Sequence, residues 1–229
     1  MNDSKRIPLS EPFLAGNARK YIDECLDTNF VSSVGPFVER FEREFATYVG
    51  SKYAVACASG TAAIHVALRL LGIESQDEVF VSDLTFIASV NPILYEKAQP
   101  VLVDAEKQTW NLHPELIKDE IERRDRKGLK LPKAIEVVHI LGHPANIEPI
   151  VEVAKKYDIA LIEDAAEALG ARYQTGLFAG KHVGTIGKLG CFSFNGNKII
   201  TTGGGGMITT NDEQLARRAK HLTTQARLP

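Results

Sequence analysis

Three short segments of this 229-residue chain carry side chains suited to chemistry. In Ala58-Ser-Gly-Thr-Ala-Ala-Ile-His65 an apolar run turns through small residues into a helical pattern. Free N–H groups at a helix start, together with the helix dipole, favour an anion. Gly60 permits close approach and Thr61 adds a hydroxyl, although the same residues also read as a plain small-residue cap. In Leu161-Ile-Glu-Asp-Ala-Ala-Glu167, Asp164 ends an apolar run, where a carboxylate needs a partner. A cationic heteroaromatic nitrogen would supply one; capping a helix from Ala165 onward is the other reading. Glu167 follows one helical turn later, facing the same cleft or completing a capping box. The third segment runs from Cys191 to Gly206 and sets Lys198 among asparagines, isoleucines and glycines. A partly desolvated lysine loses charge and becomes a nucleophile toward carbonyls. The G-x-x-x-x-G-K-[ST] pattern does not fit around Lys188 or Lys198, and G-x-G-x-x-G fails around 184–190, which disfavours a nucleotide-hydrolysing P-loop.

The elements that must position these groups follow from periodicity. Apolar runs at Ala54–Ala58, Glu78–Ser82, Pro100–Asp104, Ala134–Val138, Ile159–Glu163, Gly190–Phe194 and Gly206–Thr209 read as strands. Helical spacing predicts helices over Thr61–Leu71, Phe86–Tyr95, His113–Arg126, Ile147–Tyr157 and Asp212–Leu222, capped at the last by Asn211 or Asp212. Pro92 fits its helix only as a kink or near the start. Two further helices, about Asn17–Thr28 and Phe37–Val49, precede the sheet. Such alternation implies an α/β fold with a largely parallel sheet covered on both faces. Ligands then sit beyond the carboxyl ends of the strands, where all three segments fall.

Composition narrows the class. Lys+Arg is 27 and Asp+Glu is 29, a net charge of −2, which argues against a nucleic-acid surface. Hydrophobic residues at 44% and charged residues at 24% describe a folded domain, and no run reaches the roughly 20 apolar residues of a membrane helix. The polar N-terminus has no apolar signal core, so a cytoplasmic protein is expected. Cys25, Cys57 and Cys191 have neither pair nor metal spacing and read as small buried thiols. His139 and His143 are four apart, but Gly142 and Pro144 break any helix that would align them on a metal.

An anion cup, a buried carboxylate and an activated lysine are together what pyridoxal 5'-phosphate requires, with Phe86 placed after a strand to cover its ring. At this point the chain resembles the sugar aminotransferases of the DegT/DnrJ/EryC1/StrS family, of the fold type I, aspartate aminotransferase-like architecture. The segments that carry the resemblance are Ser32-Ser-Val-Gly35, Ser59-Gly-Thr-Ala62, Leu84-Thr-Phe86, Glu163-Asp-Ala-Ala166 and Ser193-Phe-Asn-Gly-Asn-Lys198, within limits at Ile7 and Arg227. Glu163–Gly170, Asn195–Gly206 and the final Leu-Thr-Thr-Gln-Ala-Arg are similar to the legionaminic-acid and bacillosamine branch. That resemblance implies amination of a UDP-linked 4-keto-6-deoxy-N-acetylhexosamine, UDP-2-acetamido-4-keto-2,4,6-trideoxyhexose, by L-glutamate with release of 2-oxoglutarate, in cell-surface polysaccharide biosynthesis.

Residue by residue, the resemblance implies that Lys198 is the Schiff-base lysine and Asp164 the partner of the pyridine nitrogen. Gly60, Thr61 and Ser193 match phosphate-binding positions, and Phe86 the residue stacked on the ring. Glu167 lies where many members carry glutamine near the phenolic oxygen, which leaves open a neutral donor or a contact to substrate. Dehydratases of the family replace the Schiff-base lysine by histidine; Lys198 argues for amino transfer. The resemblance also implies a homodimer, an N-terminal arm over residues 1–35 and a large cofactor-binding domain over 36–229. The chain ends before the small C-terminal domain that family members carry. A truncated fragment that binds cofactor or a partner without turnover is therefore the alternative expectation.

Overall fold

The computed structural model describes residues 11–33 and 35–226. Ile7, Val34 and Arg227, which belong to the resembling segments, lie outside the described residues, as does part of the 1–35 arm. Strands β1 (Tyr53–Cys57), β2 (Glu78–Ser82), β3 (Gln99–Val103), β4 (Ala134–Val138), β5 (Ala160–Asp164), β6 (Leu189–Ser193) and β7 (Gly206–Thr210) form one sheet, in the order β1-β7-β6-β5-β4-β2-β3. From β3 to β6 the neighbours are parallel; β7 runs antiparallel to both β6 and β1. The sheet is thus largely parallel, as expected, with antiparallel pairing confined to β7.

Helices α1 (Ala18–Asp27) and α2 (Pro36–Val49) come first, then α3 (Gly60–Leu70), α4 (Ile87–Tyr95), α5 (Pro114–Arg126), α6 (Glu148–Lys156) and α7 (Glu213–Thr223). Alternation along the strands sorts the core into two faces. Val79, Val81, Ile162, Leu189 and Ile208 face one way and pack with α3, α4 and α7 residues. Phe80, Ile135, Val137 and Leu161 face the other way, with α5 and α6; Phe192 and Met207 continue that face beneath Phe45 and Val49 of α2. β4 is buried along its whole length, as a central strand covered on both sides must be.

Four details depart from the sequence reading. β5 extends to Asp164, so the aspartate is the last strand residue rather than the one after it. No helix follows: residues 165–170 are turns and irregular backbone, so Asp164 is no helix cap and Glu167 is not one helical turn further on. Instead Asp164 Oδ1 accepts the Ala166 N–H at 3.0 Å, closing a side-chain turn. Pro92 stands well inside α4, buried, without ending the helix. Of the three free cysteines only Cys191 is fully buried. At α7 the structure agrees: of the two expected caps Asp212 is the one used, accepting the Gln214 and Leu215 N–H groups.

Candidate active site

At the carboxyl edge of the sheet a cleft of about 370 Å³ opens between the start of α3, the start of α4, the end of β5 and the loop after β6. Gly60, Thr61, Phe86, Asp164, Glu167, Ser193 and Lys198 all line it, so the structure brings together every residue singled out from the sequence.

The start of α3 supplies one wall. Ser59 is extended and its hydroxyl accepts the Ala62 N–H at 3.1 Å, which fixes the first turn. A Cβ on Gly60 would lie 2.8 Å from the Ser193 Cβ, so the absence of a side chain lets β6 carry the Ser193 hydroxyl up to the helix start. Across β1 the same logic holds at Gly206, where a Cβ would run into the Ser59 carbonyl. The first N–H groups of α3, the Thr61 hydroxyl and the Ser193 hydroxyl therefore crowd one corner, a setting for an anion.

Asp164 forms the floor. It is 5% exposed, and burial raises its proton affinity. Hydrogen bonds from Ser89 Oγ to Oδ2 (2.7 Å) and from the Ala166 N–H, with the charge of Lys198, act against that rise. Ser89 Oγ in turn lies 2.8 Å from Thr85 Oγ1, so the α4 start presents a hydroxyl relay to the carboxylate.

Lys198 sits in the turn after β6, its backbone N–H on the Asn195 carbonyl. Its side chain is 16% exposed, and Nζ meets Glu167 Oε1 at 3.0 Å. Glu167 Oε2 accepts the Leu141 N–H at 3.1 Å, so one carboxylate ties the amine to the 3-10 turn after β4. Phe86 is 75% exposed at the rim, which leaves its ring face available.

Sequence reasoning missed three residues here. Ser89 announces itself only as a small polar side chain on the buried face of α4. His139 follows a buried strand just as Asp164 ends one, and the same logic would have found it. Its Nδ1 accepts the Ala145 N–H at 3.1 Å, so Nε2 carries the proton given to Glu163 Oε2 at 3.0 Å. Glu163, back to back with Asp164, accepts the Gly184, Ile186 and Gly187 N–H groups and pins the loop before β6. No group of three or more metal-ligating side chains occurs among the described residues.

An amine nucleophile, a floor carboxylate and an anion corner in one cleft match the three handles of pyridoxal phosphate: aldehyde, ring nitrogen and phosphate. Comparison with known proteins agrees. The chain is 48% identical over 225 residues to the Bacillus subtilis protein EpsN, covering 98% of this chain and 56% of that one. It is 47% identical over 229 residues to a GDP-perosamine synthase of Caulobacter vibrioides, covering 100% of this chain and 58% of the synthase. A crystal structure of GDP-4-keto-6-deoxymannose-3-dehydratase with a trapped PLP-glutamate geminal diamine superposes with a TM-score of 0.83 at 29% identity, over 93% of this chain and 54% of that chain. The chain thus spans little more than half the length of the proteins it matches. Residues 13–228 match the family profile itself, and the chain belongs to the DegT/DnrJ/EryC1/StrS aminotransferase family.

Proposed function

We propose that the chain is the cofactor-binding part of a nucleotide-sugar aminotransferase that takes an amino group from L-glutamate and delivers it to the keto carbon of a nucleotide-linked 4-keto-6-deoxy sugar. The observation that carries this reading is the convergence of Lys198, Asp164 and the α3 start on one cleft. Bound there, pyridoxal phosphate would supply an electron sink for the carbanion formed at the amino-donor Cα.

The residues' own tasks follow from their positions. Lys198 Nζ would be the amine that holds the cofactor's aldehyde and, when free, the base that takes the glutamate Cα proton. In the second half the same nitrogen returns a proton at C4 of the sugar, so a single base serves both directions. Asp164 keeps a negative charge under the ring nitrogen and holds its proton there. Gly60, Thr61 and Ser193 receive the phosphate, and Phe86 covers the ring face. Glu167, bridging Lys198 Nζ and the Leu141 N–H, fixes where the amine waits.

Two nucleotides are in contention. The branch resembled by Glu163–Gly170 and Asn195–Gly206 favours a UDP-linked N-acetylhexosamine; the 47% identity to a GDP-perosamine synthase favours a GDP-linked hexose. The dehydratase chemistry named for the structural relative is disfavoured by Lys198. Exposed Phe86, Ile87, Ile199 and Ile200 around the cleft fit a second copy of the chain closing over it. The arm fits too, since α1 has no buried residue and leaves Ile22 and Leu26 uncovered.

The test is amination of a panel of UDP- and GDP-linked 4-keto-6-deoxy sugars with glutamate as donor. Turnover of one member supports the reading and names the nucleotide. Cofactor binding without half-transamination by glutamate identifies the chain as a binding fragment instead.

A further inference from the structure

One buried acid has no task in that scheme. Glu136 lies in the middle of β4, fully buried, and neither carboxyl oxygen has a hydrogen-bond partner among the described residues. Its register neighbours are Val81 on β2 and Ile162 on β5, so it stands on the sheet face that carries Asp164. Asp164 pairs with Val138, two residues further along β4. The two acids are therefore diagonal neighbours on adjacent strands, roughly 8 Å apart at Cα, with Glu136 one side-chain layer below the cleft floor.

A buried carboxyl without partners costs several kcal/mol more than an aliphatic side chain in the same place, and more still if ionised. Two carboxyls this close do not both ionise readily, and the proton stays on the one less well solvated by donors. Asp164 has two donors, Ser89 Oγ and the Ala166 N–H; Glu136 has none. Other groups facing this layer do not change the order. Titratable ones on the face are Cys191 of β6, which burial keeps neutral, and beyond it Cys57 of β1. The faces of α3 and α7 packed there contribute apolar side chains, and α4 contributes the Ser89 hydroxyl with Pro92 and Ile93. Lys198 acts on Asp164, favouring its charge further. Burial and the Asp164 charge push the Glu136 carboxyl well above the usual range, in agreement.

We propose that Glu136 is a reserve acid for Asp164: at neutral pH it holds the proton of the pair and leaves the charge on Asp164, and at alkaline pH it releases that proton to solvent and its new charge keeps the cofactor's ring nitrogen protonated. The first half concerns this chain alone. The second rests on the cofactor reading above.

Two measurements separate them. Infrared spectra of the cofactor-free chain across pH will show the carbonyl stretch of a protonated, buried carboxyl at pH 7. The band persists in D164N and is absent from E136Q and E136L; E136L, which only replaces an unpartnered acid by an aliphatic group, serves if E136Q folds poorly. A pH 7 spectrum lacking that band, or a band that survives in both Glu136 variants, overturns the assignment. With pyridoxal phosphate carrying an isotope-labelled ring nitrogen, NMR will follow the ring proton directly. Loss of that proton will occur at about tenfold higher proton concentration in E136Q than in the unaltered chain, the order of magnitude of one charge acting through a protein interior. Coincident titrations overturn the second half. Failure of the cofactor to bind counts against the proposed function, and the infrared result then still decides the first half.

Discussion

Ser89 shows how much a site depends on residues that touch no substrate. Its hydroxyl is the one side-chain donor to Asp164 among the described residues, at 2.7 Å and out of solvent. A hydrogen bond to a buried charge contributes about 1.5–3 kcal/mol. S89A is therefore expected to raise the proton affinity of Asp164 further and to weaken pyridoxal phosphate binding about tenfold at pH 7, measured by equilibrium dialysis. Gly60→Ala drives a Cβ onto Ser193 and is expected to impair phosphate binding far more than thermal stability, checked by comparing inorganic phosphate protection with Tm. Lys198, Asp164 and Glu167 were legible because each is a polar side chain interrupting an apolar or glycine-rich context. Ser89 and Glu136 were not, because their importance lies in which buried face they occupy, and that is settled by strands and helices far away in sequence.

Among the elements, β2 and β4 coincide with the apolar runs that predicted them, and every other strand is displaced by one residue at one or both ends. One such shift moved Asp164 into β5, since ladder bonds to β4 and β6 hold the strand through its last residue. The antiparallel direction of β7 was beyond the sequence: a buried five-residue run reads alike in either direction. β1 is an edge strand, and the molecule covers it. Glu42 of α2 accepts the Ala56 N–H at 2.8 Å and receives Lys220 Nζ of α7 at 2.8 Å on each oxygen, tying helices 178 residues apart to one edge. Glu42→Ala is expected to lower stability by about 1–3 kcal/mol in urea unfolding, with Lys220→Ala giving the smaller part because its partner is still hydrogen-bonded to the strand.

On the scale of the whole molecule, buried acids shape the response to pH. Burial pushes Glu163 up, but the hydrogen bond from His139 and the Gly187 and Gly184 N–H groups outweigh it and leave the carboxyl below the usual range. Its stabilisation is present above the ordinary carboxylate range and is lost as pH falls through the depressed folded value. Glu136 has the opposite sign: its raised folded value means stability that is full in acid and lost as pH climbs above the ordinary range and through that value. E136Q is thus expected to flatten the alkaline arm of a Tm-against-pH curve and to leave pH 5 nearly unchanged. The exposed apolar rim and α1 predict that light scattering will report the mass of two chains. The central claim, a covalent handle at Lys198 above an acidic floor, is tested most directly by loading the chain with pyridoxal phosphate, reducing with borohydride and mapping the modified lysine by peptide mass spectrometry. Modification at Lys198 near one equivalent, lost in K198A, is the predicted result; modification spread over surface lysines, or unchanged in K198A, would contradict it.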